Sequence, residues 1–195
     1  MLFRLGPHAI TMATAKTGSF YLTETVQIPV ASAADTRVQG VIDLGAYVNV
    51  PTGQAVAVEA VDFIYQHSDT FSQAANFFLQ LNGCISAQLS DLNPGTAFVR
   101  ADDQSLIASG AMNLDTLNSI SSNEVDLYPD NFGPSNLSEA FLVVNDSLYL
   151  VGGNNGSATS LTDIIYITVR IKCRVVKLST KDWMAIAIQS TASDN

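Results

Sequence analysis

Histidine, cysteine and charge are scarce in this chain of 195 residues, and each scarcity closes off a class of function. Two cysteines, Cys84 and Cys173, make no disulfide framework. With His8 and His67 the only histidines, no His-Glu-x-x-His is present, and neither Cys-x-x-Cys nor an EF-hand loop is there to hold a metal. Charged residues make up 14% of the chain, nine basic against eighteen acidic, for a net charge of −9. An acidic body disfavours nonspecific contact with nucleic acid, whose affinity comes mainly from phosphate neutralisation. No run approaches the ~18 continuous apolar residues of a membrane span. In MLFRLGPHAITMATAKTG, Gly6, Pro7 and His8 break up the only early apolar stretch, so no secretory signal is expected.

Catalytic constellations are equally thin. His67 lies beside Asp69, a pairing able to orient an imidazole, but no Gly-x-Ser-x-Gly elbow or reactive-cysteine signature accompanies it. A surface histidine at a strand end is the expectation. Gly152-Gly-Asn-Asn-Gly lacks the Lys and the following helix of a phosphate loop, and Glu24 and Glu59 are too distant in sequence to be paired as glycosidase carboxylates. Asp102-Asp103 and the Asp126/Asp130 pair are the candidate Ca²⁺ positions, against the plainer reading of solvated loop carboxylates. Asn136, Asn145 and Asn155 head glycosylation sequons that arise by chance in a chain this rich in Asn, Ser and Thr. Phe77-Phe78, Tyr47, Tyr149 and Trp183 are not interleaved with basic residues as on an RNA-binding sheet. A non-enzymatic protein without cofactor or metal is therefore expected.

What is present is β-structure. From Asp163 to Leu178, Ile165, Ile167, Val169, Ile171, Cys173 and Val175 form an apolar series at period two, with Thr168, Arg170, Lys172 and Arg174 between them. Such alternation predicts a half-buried strand. It spans roughly 35 Å at ~3.3 Å per residue, nearly twice the usual length. Cys173 falls in the apolar series, so a buried free thiol is expected, with a bridge to Cys84 the alternative. The other side is a basic ridge. Residues 1–169 hold sixteen acidic and four basic side chains, whereas residues 170–195 hold five basic and two acidic. Arg170, Lys172 and Arg174 are candidates for contact with acidic groups of an adjacent subunit or strand, the alternative being a solvated face.

Elsewhere, strands are predicted around Phe20 to Val30, with Glu24 breaking the apolar face, and from Ile42 to Val50. Between Val56 and Tyr65 the apolar parity switches after Ala60, the mark of a bulge. Asn82-Gly83 predicts a hairpin between Phe77–Leu81 and Ile85–Leu89. Ala97–Val99 and Ser105–Ala108 suggest short strands, residues 110–138 a long connection, and Gly152 to Ser157 a mobile loop tip. Strands resume at Phe141–Val144 and Leu148–Val151. Ser179-Thr-Lys-Asp182 fits a capping box for one helical turn, followed by a last strand on Met184, Ile186 and Ile188. About ten turn-separated strands in a chain of this length predict one all-β domain, an antiparallel sandwich or barrel over residues 20–195, preceded by an N-terminal arm, 1–19.

The stretch FLVVNDSLYLV, the Gly/Asn/Ser-rich segment, IIYITVRIKCRVVKL, STKDW and MAIAIQ, together spanning about a quarter of the chain, resembles a single jelly-roll viral capsid protein. The nearest likeness is to the major capsid proteins of icosahedral, internal-membrane-containing viruses that build shells from two vertical jelly rolls. That resemblance implies a jelly-roll β-sandwich located in the virion, self-assembly into homo-oligomeric capsomers, and a second capsid protein as partner. It further implies no catalysis and an internal membrane or minor virion proteins beneath the shell. Direct genome binding is not expected, because residues 1–36 carry only Arg4 and Lys16, unlike the basic arms of shells that package nucleic acid directly. The composition leaves open a non-viral surface or filament-forming sandwich, which would need an export signal. It also leaves open a carbohydrate-binding jelly roll, for which the long connection offers Tyr128 and Phe132.

Overall fold

The structure, a computed structural model, describes residues 13–125 and 140–191, without the side chains of residues 75, 123–125 and 189–191. These residues form, in chain order, β1 (Thr14–Ala15), β2 (Phe20–Ile28), β3 (Arg37–Asp43), β4 (Gln54–His67), β5 (Gly83–Ser90), β6 (Leu106–Asp115), β7 (Ile120–Val125), β8 (Phe141–Val143), β9 (Ser147–Asn155), β10 (Ile165–Lys177) and α1 (Thr180–Thr191).

The alternating stretch is β10, and its apolar series is buried as predicted, with Ile165, Ile167, Val169, Ile171 and Cys173 at 0% exposure and Val175 at 5%. One edge of β10 pairs antiparallel with β4 from Ile165↔His67 to Lys177↔Gln54. The other edge pairs with β2 over Ile165–Cys173 and with β1 at Val176 and Lys177. A second sheet has the order β3-β9-β5-β6-β7. Leaving out β1 and β7, the eight remaining strands are ordered first-eighth-third-sixth in one sheet and second-seventh-fourth-fifth in the other. That is the strand order of a jelly roll, two Greek keys wrapped into a sandwich. The protein is an all-β antiparallel jelly-roll sandwich.

The space between the sheets is filled by aliphatic side chains from both, among them Ile28, Val56, Ile85, Leu89, Leu148, Leu150 and Ile167. Each such side chain contributes about 1.5–3 kcal/mol by leaving water. The parity switch in β4 is a bulge: Lys172 pairs with Ala60 but Cys173 pairs with Val58, leaving Glu59 as the extra residue. Val56 and Val58 before it, and Val61 and Tyr65 after it, therefore all reach the core.

Several sequence-based expectations are corrected. Met184, Ile186 and Ile188 lie on α1 and not on a strand. The cap is real, since Ser179 Oγ accepts from the Asp182 N–H at 3.2 Å and donates to its carboxylate at 2.6 Å. It starts a three-turn helix because Trp183, Ile186 and Ala187 share a helical face that packs on Ala55, Ala57, Val176 and Leu178, across the outer side of the first sheet. The sequence is apolar at both periods there, so alternation alone misleads. Gly152–Asn155 belongs to β9 and is not a loop tip. Gly152 is there because a Cβ would stand 2.6 Å from Ile167 Cδ1 of the facing sheet. The strand placed at Ile42–Val50 lies earlier, on β3, and the chain turns after Leu44. Residues 110–125 are strand and hairpin and not irregular connection. Ala97–Val99 forms no strand; the Gln88 side chain satisfies both backbone groups of Val99. Asn82-Gly83 makes no two-residue hairpin, since residues 78–82 form no strand. Instead Asn82 Oδ1 accepts from the backbone and hydroxyl of Thr116.

Of the arm placed at 1–19, residues 1–12 lie outside the described residues. Thr14 and Ala15 extend the first sheet, Lys16 N–H donates to Val175 O at 2.8 Å, and Thr17 Oγ1 accepts from Val175 N–H at 3.0 Å.

Gly83 is the sharpest steric test of this packing, because a Cβ there would run into the backbone oxygen of Asn155 and stand 3.0 Å from Leu79 Cδ1. Gly83→Ala is expected to destabilise the fold by about 1–3 kcal/mol in urea unfolding. An unchanged midpoint would show that β5 and β9 do not approach this closely.

Candidate functional site

The basic ridge runs along the outer face of the first sheet, and its countercharge comes first from the same chain. The bulge aims Glu59 at two of its members: Arg174 forms an ion pair with its carboxylate through Nε, and Lys172 Nζ lies 3.8 Å away. Ser19 Oγ donates to Glu59 at 2.9 Å and accepts from Arg174 Nη2 at 3.1 Å, so the same cluster fastens the start of β2. Burial would raise the Glu59 carboxyl, but hydrogen bonds from Arg174 and Ser19 and the charges of Arg174 and Lys172 outweigh it and hold it below the usual range. Arg170 is different. Its guanidinium stacks over the Tyr21 ring at 4.4 Å, and the residue facing it on β4 is Asp62. The structure thus brings Arg174 and Lys172 together on one carboxylate and leaves Arg170 beside them with a more exposed partner. The same cluster reaches the neighbouring thiol: burial and the charge of Glu59 push Cys173 up to about 12, and both cysteines are free.

His67 ends β4 but is buried, at 5% exposure, and is not the surface residue expected. Its Nδ1 meets Asp163 at 3.2 Å, its ring stacks on Phe77, and Phe78 stands edge-on. The carboxylate partner is thus Asp163 and not Asp69. Hydrogen bonds from Thr162 and then His67 hold Asp163 below the usual carboxylate range. Among the described residues, His67 Nε2 is buried with no hydrogen-bond partner, and no nucleophile pairs with it there. It joins the β4–β5 connection to the β9–β10 connection.

The remaining sequence candidates do not converge. Glu24 lies against Gly40, whose added Cβ would stand 2.9 Å from Glu24 Cγ, while Glu59 lies in the outer bulge. Asp102 accepts from Arg100, and Asp103 accepts from Ser105, both within one turn. Among the described residues, no group of three or more His, Cys, Asp or Glu is placed to hold a metal. His8, Asp126, Tyr128, Asp130, Phe132 and Asn136 lie outside the described residues.

Sequence reasoning missed two surfaces. The connections after β2, β4, β6 and β9 meet at one end of the sandwich, where Phe71, Phe77, Leu81, Leu117 and Leu161 are 46–80% exposed. A groove of about 540 Å³ opens there between Leu79, Leu114 and Ile120. Near the opposite end, α1 exposes Met184 and Ile188 on the side away from the sheet. Single exposed apolar residues carry no signal in a sequence; their gathering needs the topology.

No protein-family model and no curated protein matches the chain. Among solved structures it is similar to a chain of tomato aspermy virus, at 13% identity over 86% of this chain and 85% of that one, with a TM-score of 0.34. It is also similar to one of Desmodium yellow mottle tymovirus, at 10% identity over 92% of each chain with a TM-score of 0.31. The jelly-roll assignment rests on the strand order itself.

One buried acid bears on stability. Asp91, in the turn after β5, is 2% exposed; Asn145 donates to its backbone oxygen at 2.9 Å, and among the described residues its Oδ1 has no hydrogen-bond partner. Burial, opposed by its own N–H and reinforced by the charge of Asp103, pushes its carboxyl from 3.8 up to about 7. The folded state then keeps a proton that the unfolded chain has lost. Stability from this group is complete below pH 3.8, falls as pH rises, and is gone above about pH 7. Asp91→Asn is expected to remove that fall, at most ~4 kcal/mol, from urea unfolding compared at acid and alkaline pH. A variant with the wild-type pH profile would refute this assignment.

Proposed function

We propose that this chain is a structural protein of a viral capsid that self-assembles through its surfaces. The observation that carries the reading is a jelly roll whose two sheets close on one largely aliphatic core while further apolar side chains gather on its outside, at the loop end and on α1. The exterior here is poor in charge, and it gathers apolar side chains at two places, as surfaces that meet other protein do.

The proposal extends to capsomers, to a second capsid protein as partner, and to a shell lying over a membrane or other virion proteins, with no direct genome binding. Five of the nine basic residues lie on β10 and α1, and two of these are already held by Glu59, which leaves little cationic surface for a polyanion. Electron microscopy and sedimentation of the purified protein, alone and with candidate partner proteins, test the reading. Closed shells or capsomer-sized rings are expected; open filaments would favour the non-viral alternative, and a monomer under all conditions would overturn the proposal.

The ridge supplies a point test. Lys172→Glu would set a second carboxylate beside Glu59, and Arg170→Glu one opposite Asp62, so the neutral change Arg170→Gln is the cleaner test. Arg170→Gln is expected to weaken assembly at low salt, with the deficit shrinking at high ionic strength, while the melting temperature of the monomer stays close to wild type. Equal assembly of both proteins at low salt would leave Arg170 a solvated residue.

A further inference from the structure

The two exposed apolar surfaces differ in charge, and the difference is systematic. At the loop end, Leu81, Leu117 and Leu161 are 64%, 80% and 68% exposed. Asp35 and Asp69 are exposed on the same set of loops, with Asp115 half-buried at the end of β6. Among the described residues the one basic side chain at this end is Arg37. It binds Asn154 O at 2.6 Å, the Asn155 side chain and the Phe98 ring at 4.5 Å, and its Nη2 lies 3.8 Å from Asp35, so Asp69 and Asp115 carry the negative charge of this end.

The surface around α1 has the opposite sign. Met184 and Ile188 are 55% and 63% exposed on the helix, and Val50 is 60% exposed on the adjoining 3-10 turn, which the Leu178 N–H to Gly53 O bond of 2.9 Å ties to the start of the helix. Lys181 is exposed on the helix one turn before Met184 and Lys177 is exposed at the end of β10, and together they outnumber the one acid of α1, Asp182, which keeps its charge while bonded to Ser179. The inner face of α1, Trp183, Ile186 and Ala187, is packed on the sheet. A helix apolar on both sides is one that protein covers on both sides.

We propose that α1 and its lysines dock onto the acidic, apolar loop end of a second copy of this chain. Pairing either surface with itself would oppose like charges, lysines against lysines or carboxylates against carboxylates, and so is disfavoured. Pairing one with the other matches charge and buries leucines against Met184, Ile188 and Val50. The contact is heterologous: each copy offers a different surface to each neighbour, and repetition closes a ring or continues as a filament. This rests on the assembly reading above and names the contact that carries it.

The experiment uses two double variants of the full chain. Met184→Gln with Ile188→Gln alters only the outward side of α1, and Leu117→Gln with Leu161→Gln alters only the loop end. Thermal melts close to wild type confirm that both fold. Each variant alone is expected to self-associate at least about tenfold more weakly than wild type in sedimentation velocity, the loss of one apolar hot spot or more. Mixed one to one, they are expected to form heterodimers, because each retains the surface the other lacks. Wild-type self-association by either variant overturns the proposal, as does a mixture that stays monomeric. Dimerisation of the loop-end variant with itself would show an α1-to-α1 contact instead. If α1 variants self-associate normally but lose binding to vesicles of anionic phospholipid, α1 faces lipid and the proposal fails. A wild-type protein that never self-associates sinks the capsid reading, whereas shells formed equally by wild type and both variants sink only this contact.

Discussion

The two-sided pairing of β10 is the constraint on which the rest of the molecule depends. One edge holds β4 over thirteen residues, the other holds β2 and then β1, and a single apolar face closes on the opposite sheet. A slip of one residue would turn Arg170, Lys172 and Arg174 into the core and Ile167, Val169 and Ile171 into water. Burying three unpaired cations costs far more than a domain's net stability, so register is fixed by penalty as much as by gain. Once β10 is set, the loop end and the α1 end of the sandwich are set with it.

The bulge at Glu59 reconciles two demands on β4. Residues on both sides of it must face the core, and a carboxylate must reach the ridge. An ordinary strand cannot do both, because its side chains alternate strictly. One extra residue restores parity for Val61 and Tyr65 and turns Glu59 toward Arg174, Lys172 and Ser19. The ridge can therefore sit on a single strand without self-repulsion, and the start of β2 is anchored by the same charges.

How much of this was legible in the sequence follows from which physical signal each element carries. β10 was legible because its two faces differ so sharply in polarity, and the bulge because parity visibly changes between Ala60 and Val61. α1 was not, since Met184, Ile186 and Ile188 alternate while Trp183, Ile186 and Ala187 also follow the helical period; packing on Ala55, Ala57 and Val176 decides between them. Gly152 to Asn155 looked like a loop because glycine and asparagine favour turns. There the glycines admit Ile167 and Arg37, and Asn154 bonds the backbone oxygens of Ala33 and Ser157. His67 had its acid two residues away in sequence, yet its partner is ninety-six residues away, on a loop that only the pairing of β4 with β10 brings near. Of the ridge, the three residues were legible but Glu59 as their shared partner was not, because its role depends on the bulge geometry.

A chain with so few charges makes each one act at contact range. Screening confines their reach to about 8 Å at physiological ionic strength, so the lysines beside α1 and the carboxylates of the loop end do little until surfaces nearly touch. They then select orientation, while the apolar side chains supply affinity. Neither surface can satisfy itself by two-fold pairing, so closure is set by the angle between them. The β9–β10 connection leads into one end of β10 and α1 follows directly from the other, which separates the two surfaces by about thirteen strand residues, roughly 40 Å. The twist and tilt of that one strand fix how each copy is turned relative to the next. The strand that sets the fold therefore also sets whether repeated contacts close.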